Sequence, residues 1–507
     1  MEEHTILELQ QQMSDGRRSA CELTEAYLAR IDEVDCHTND TNALGTNAVI
    51  ELNPDAVEIA QALDVERAEK GPRGPLHGIP VIVKDNIDTG DRMQTTAGSL
   101  ALAGSIAALD APLVAGLRRA GAVLLAKANL SEWANFRSTR STSGWSSRGW
   151  QTRNPYALDR NPCGSSSGSA VAVAANLCAG AVGTETDGSV ICPSHTNGVV
   201  GLKPTLGLIS RSGIVPIAHS QDTAGPMGRT VADVAALLGA MVGLDAADPA
   251  TAGSQGRFHT DYTRFLDPDG LKGARIGVAR AAFGFDPRVD DLMEACILEM
   301  ARQGATIVDP AEIETAGEIG KTELEVLLYE FKADLNAYLG RLGPEVAVHS
   351  LADVIAFNEA HKDTVMPYFG QERMLAAQEK GPLTEAAYLE ALATNHRLAR
   401  DEGIDATLLK HELDAIVAPS GAPACLIDWV RGDQRGGGSS GPAAVAGYPN
   451  LTVPAGYVFG LPVGISFIGG AYQEPTLLRI GYAFERAMPV RRAPEFRATV
   501  DLGVVWK

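Results

Sequence analysis

Two glycine-rich loops, Gly164–Gly168 (GSSSG) and Gly183–Ser189 (GTETDGS), carry hydroxyls in surroundings suited to nucleophilic chemistry. Glycine permits the turns that bring backbone N–H groups close to a ligand and adds no bulk there. A serine hydroxyl becomes a nucleophile only beside a base, and the sequence offers two ways to supply one. In the first, GSSSG is a G-x-S-x-G elbow with Ser166 as nucleophile, which requires a strand running directly into the turn and a downstream acid and histidine. The preceding residues, Ala157–Cys163 (ALDRNPC), carry Asn-Pro and charges that do not suit a buried strand. In the second, the base is Lys84, at the end of the apolar run Ile79–Val83 (IPVIV). Such a lysine is a solvated rim residue or is buried; burial disfavours the ammonium, lowers the pKa and frees the amine to accept a proton. Lys84, Ser165 and Ser189 would then form a relay, Lys84 to Ser165 and Ser165 to Ser189.

These loops need a rigid frame. Residues 5–35 read as two helices and 55–70 as a third, from the helical spacing of Leu23, Tyr27, Leu28 and Ile31 and from the GPRGP stop at 71–75. Ile79–Val83 is a short β-branched run, Ala111–Ala120 is helical, and Ala122–Ala126 (AVLLA) is a second strand, which together make a βαβ unit. Residues 131–156 form a long loop carrying Trp145 and Trp150, the candidate substrate contacts, with Arg148 and Arg153 read as surface charges. Ser167–Cys178 is a helix; further strands are expected at 199–202, 274–279, 305–308, 414–417, 451–453 and 463–468. Residues 310–412 read as a charged, helical, appended layer. Because sheet elements lie on both sides of it, the expectation is one α/β domain over 1–507. Its central sheet is mixed and largely parallel, with helices on both faces. The parts are N-terminal helices (1–75), a core (76–230), the helical insertion (310–412) and a return to the sheet (413–507).

With 45% hydrophobic and 21% charged residues the 507-residue chain has an ordinary globular balance. A net charge of −20 argues against nucleic acid or an acidic membrane as partner. The seven cysteines are scattered without a C-x-x-C, so no zinc or thioredoxin-like site is indicated; Cys192 reads as a buried small residue. No stretch reaches the roughly 20 apolar residues a membrane span needs. MEEHTILELQQQ lacks the form of a secretory signal, so a soluble protein without a targeting segment is expected, cytoplasmic, or periplasmic or secreted if a signal has been removed.

The motifs GIPVIVKDNID (78–88), GSSSGSA (164–170), GTETDGS (183–189), GLKPT (201–205), SQDTAGPMGRT (220–230) and AGYPNLTVPAGYVFGLPVGISFIGG (446–470) stand in an order that resembles the amidase signature family. The resemblance covers all but about 310–412. It implies the amidase signature fold and a Ser–Ser–Lys triad: Ser189 as nucleophile, Ser165 as bridging serine after a cis non-proline peptide, and Lys84 as base. It further implies an oxyanion hole of the N–H groups of Thr186, Asp187, Gly188 and Ser189, with the Glu185 and Asp187 carboxylates turned away from it. Ser166 is left as a loop hydrogen-bonder with a lesser claim to touch substrate, and Asp222 and Thr223 as braces.

Three features depart from the wider family: Ile191 stands where many members have arginine, Asp187 where glycine is common, and the polar His195–Thr196 where relatives are apolar or small. The first two, with the TETDGS form, resemble the peptide amidase branch. The expected substrate is therefore the C-terminal carboxamide of a peptide, and the expected partner a small peptide amide or other amide. The alternatives are general acyl- or aryl-amide hydrolysis and service as the glutaminase-type component of an amidotransferase complex. No metal or organic cofactor is expected, and the chain is expected to be a monomer or homodimer.

Overall fold

A computed structural model describes residues 2–35, 45–434 and 436–502. The first strands are β1 (Val49–Leu52), β2 (Pro80–Lys84), β3 (Val123–Ala128), the short pair β4 (Trp145–Ser146) and β5 (Trp150–Gln151), β6 (Gly180–Glu185) and β7 (Val200–Lys203). They are followed by β8 (Thr223–Gly228), β9 (Arg275–Val278), β10 (Thr306–Val308), β11 (Ala415–Pro419), β12 (Asn450–Val458) and β13 (Leu461–Ile468). Eleven strands make one mixed sheet in the order β1-β3-β2-β6-β8-β7-β12-β13-β11-β9-β10, with β4 and β5 forming a separate hairpin. Pairings are parallel in β2–β3, β2–β6, β9–β10 and β9–β11 and antiparallel elsewhere. The single-domain expectation holds because the sheet interleaves the chain: β7 from the first half pairs with β12 from the last.

The helices begin with α1 (Ile6–Ser14), α2 (Ala20–Val34) and α3 (Ala56–Lys70), the first two closed by capping boxes, Thr5 with Glu8 and Ser19 with Glu22. Then come α4 (Pro112–Arg119), α5 (Ser167–Ala174), α6 (Ile191–Thr196), α7 (Val231–Met241), α8 (Pro287–Arg302) and α9 (Ile319–Leu339). All eight residues of α5 are buried. A Cβ at its Gly168 would lie 2.2 Å from the Ala48 carbonyl and 2.5 Å from that of Asn129, so only glycine lets the serine loop sit this deep.

Several elements differ from expectation. Strands β1, β6 and β8 were not expected; β6 (GAVGTE) and β8 (TAGPMG) are too rich in glycine to show a strand pattern, yet they pair along six residues each. The expected helix at 167–178 ends at Ala174, and the 131–156 loop holds the β4–β5 hairpin. The helical span after β10 is more than an appendage. α9 packs Leu327, Phe331 and Leu335 with Trp133, Phe136, Val215 and Ile217 in a second apolar cluster, and through it the span walls the site.

Candidate active site

Lys84 closes β2 and is fully buried. The register of β2 on β6, Val83 beside Val182, carries it alongside the end of β6. Its Nζ donates to Ser165 Oγ (2.7 Å), Thr184 Oγ1 (2.8 Å) and the Thr184 carbonyl (3.3 Å). Asn86 Nδ2 donates to the same Thr184 hydroxyl at 3.0 Å. Burial pushes the ammonium pKa from 10.5 down to about 7, against the opposing pull of the Asp222 and Glu185 carboxylates. A neutral amine is therefore well populated near neutral pH. Thr184, which sequence reasoning passed over, is the second anchor of this amine; its place inside GTETDGS was the available signal.

Ser165 is buried, follows a cis Gly164–Ser165 peptide, and accepts the Ser131 N–H on its carbonyl (3.1 Å). Ser166 does not meet the cavity. Its hydroxyl donates to the Thr184 carbonyl (3.0 Å) and accepts the Thr184 N–H (3.1 Å), while its own N–H donates to the Ser189 carbonyl (3.1 Å). It staples the two serine loops, which corrects its assignment as a substrate contact and leaves the elbow reading without support.

Thr186, Asp187, Gly188 and Ser189 all line one cavity of about 390 Å³. Gly188 turns the chain at φ 73°, a conformation glycine adopts freely, and α6 begins two residues beyond Ser189. Glu185 accepts the Val190 and Ile191 N–H groups (2.7 and 3.0 Å), so its carboxylate lies under the start of α6, turned from the cavity as expected. Asp187 accepts a hydrogen bond from Ser440 Oγ (2.6 Å). Asp222 braces the loop: it accepts the Thr186 hydroxyl (2.6 Å) and the Ile217 and Ala218 N–H groups (2.7 and 2.9 Å), and burial raises its pKa to about 6. From α9, Glu323 reaches the wall and accepts from Gln221 Nε2 (3.0 Å), whose amide also donates to the Thr186 carbonyl (3.2 Å).

Three further expectations are corrected. Cys192 forms a disulfide with Cys163, joining the two serine loops across 29 residues; their distance in sequence concealed the pairing. Trp145 is buried against Tyr368 and Phe369 under the Arg137 guanidinium, and Trp150 sits in the hairpin; neither lines the cavity, so both are frame residues. Arg148 is partly buried rather than a free surface charge, paired with Glu51 and Asp85.

Among the described residues one group, His219, Glu330 and Asp334, has the donor types to hold a metal ion. Both imidazole nitrogens already face carboxylates, Nδ1 at 2.8 Å from Asp334 and Nε2 at 3.3 Å from Glu330, an arrangement that ties the 219–222 loop to α9. No helix is long and apolar enough to cross a membrane among the described residues.

Residues 22–478 match the family model described as Amidase. The fold superposes on the native peptide amidase of Stenotrophomonas maltophilia with a TM-score of 0.91 and 51% identity, covering 97% of this chain and 99% of that one. A "Probable amidase" of Arabidopsis thaliana is 42% identical over 98% of this chain and 92% of its own length. A glutamyl-tRNA(Gln) amidotransferase chain of Symbiobacterium thermophilum is 34% identical over 93% of this chain and 94% of its own.

Proposed function

The chain belongs to the amidase signature family and is an amidohydrolase; from that premise we propose that it removes ammonia from the C-terminal carboxamide of peptide amides, using Ser189, Ser165 and Lys84. The observation that carries the reading is the buried Lys84 amine, 2.7 Å from the Ser165 hydroxyl and brought to a pKa of about 7. A base tuned near the working pH is what a general-base step needs.

Ser189 Oγ attacks the carboxamide carbon while its proton passes through Ser165 to the Lys84 amine. The developing oxyanion is met by the N–H groups of the Thr186–Ser189 turn; a preorganised donor of this kind typically contributes about 3–4 kcal/mol to acyl transfer. The C–N bond breaks as the proton returns to the leaving nitrogen, giving ammonia and an acyl-Ser189 ester. Water, losing its proton along the same route, hydrolyses the ester to the peptide acid and restores the serine.

The peptide-amide specificity is supported by the 51% identity to a peptide amidase and by a cavity large enough for more than a small acyl group. The 34% likeness to an amidotransferase chain favours glutamine hydrolysis as the second reading. Ammonia release separates them: peptide amides should be cleaved faster than glutamine, benzamide, acetamide or a fatty amide. A chain that prefers any of the others has been misread.

A further inference from the structure

Three of the chain's seven cysteines converge on the cavity. Cys163 and Cys192 are joined as the disulfide, and Cys425 is a free thiol on the same wall. The catalytic stretch around the bond is otherwise sealed. Over residues 161–200 only Cys163, Asp187 and Cys192 keep appreciable surface, and all three line the cavity. The surface left to the disulfide thus lies on the side from which substrate arrives. Its place in the chain also gives it leverage over the chemistry. Cys163 stands two residues before Ser165, and Cys192 stands three residues after Ser189 at the start of α6. The cross-link therefore fixes the separation of the two serines between which the proton passes. With the bond open, α5 and the Ser166 staple still join the loops, but their outer ends gain freedom. A misplacement of about 1 Å between reacting groups costs about a hundredfold in rate.

Resting on the Ser189–Ser165–Lys84 reading, we propose that the Cys163–Cys192 bond is a thiol-exchange site. Small thiols entering through the substrate cavity reduce it and thereby turn the amidase down. A thiolate attacks one cysteine sulfur and bonds to it as the Cys163–Cys192 bond breaks; the other cysteine leaves as thiolate and takes up a proton. A second thiolate then attacks the sulfur of the bound thiol, releasing the first cysteine and a small-molecule disulfide. Two external thiols are oxidised and the protein disulfide is reduced to two thiols. Cys425 does not replace the external reductant, because its attack would only exchange one protein disulfide for another. Burial also raises its thiol pKa and keeps it in the protonated, unreactive form.

The test treats the folded protein with dithiothreitol below its melting transition, maps free cysteines by alkylation and mass spectrometry, and measures kcat on the amide it cleaves best. Alkylation should appear at Cys163 and Cys192, and kcat should fall by about tenfold or more with the circular dichroism spectrum unchanged. Oxidised glutathione should restore it. In Ser189→Ala protein, which binds without turnover, the same amide at saturation should slow the reduction by about threefold or more. Cys163→Ala/Cys192→Ala should begin at the lowered kcat and not respond to dithiothreitol. A bond that stays intact in the folded protein overturns the proposal, as does a reduced protein with undiminished kcat or one whose kcat falls only as its circular dichroism signal is lost. Reduction that the bound amide does not slow overturns the cavity route, and with it the proposal. A Ser189→Ala protein that keeps its activity overturns the triad reading and this proposal with it.

Discussion

At the residue scale, the proposed mechanism turns on a buried lysine whose lowered pKa suits it to act as a base. Nothing about Lys84 is unusual as a residue; its removal from water is what lowers its pKa to about 7. Since the neutral amine accepts the proton, activity is lost as pH falls: kcat/KM should rise through about pH 7 to a plateau and lie about a hundredfold below it at pH 5. A profile flat between pH 5 and 8 would assign the base elsewhere. Ser189→Ala should lower kcat by at least about 10⁴-fold, and Lys84→Met, which keeps the volume without the amine, should do likewise; ammonia release on folded protein checks both. Ser165 and Ser189 could be singled out as candidates from their glycine loops, whereas setting Ser166 aside needed its two hydrogen bonds to Thr184.

At the element scale, the two serine loops are held together three ways: by α5 between them, by the Ser166 staple and by the Cys163–Cys192 bond. On the chain-entropy model, cross-linking a loop of this length contributes about 3–4 kcal/mol to stability. A Cys163→Ala/Cys192→Ala protein should therefore unfold at lower temperature, with wild type matching it in reductant; an unchanged melting temperature would show the bond to be energetically idle. Asp222 is the other brace, an acceptor for three donors around the Thr186 turn. Asp222→Asn turns an amide N–H₂ toward some of those donors, so kcat should fall about tenfold to a hundredfold with KM little changed. A KM effect alone would place Asp222 in substrate binding instead.

At the scale of the whole molecule, the site is assembled from distant parts: Lys84 from β2, the serines from 165 and 189, Glu323 from α9 and Gly421 from the turn after β11. Because β7 lies against β12, removing residues 413–507 strips β7 of a neighbour and takes β11, β12 and β13 from the sheet. The 1–412 fragment should not fold cooperatively, as circular dichroism with thermal melting would show; a sharp transition would mean that the chain holds two independent units. Local chemistry by itself determined the α/β class, the N-terminal helices and the βαβ unit, and it singled out Lys84, Ser165 and Ser189 as candidates, because β-branched runs, helical spacing and glycine loops act on their immediate neighbours. Only the tertiary structure decided that glycine-rich β6 and β8 are strands, that Trp145 and Trp150 belong to the frame, that Cys192 is bonded to Cys163, and that the helical span walls the cavity. Each of those depends on what lies across the sheet or across the cavity, at separations from 29 residues for the two cysteines to more than two hundred for Trp145 and Tyr368, and sequence spacing carries no record of such neighbours.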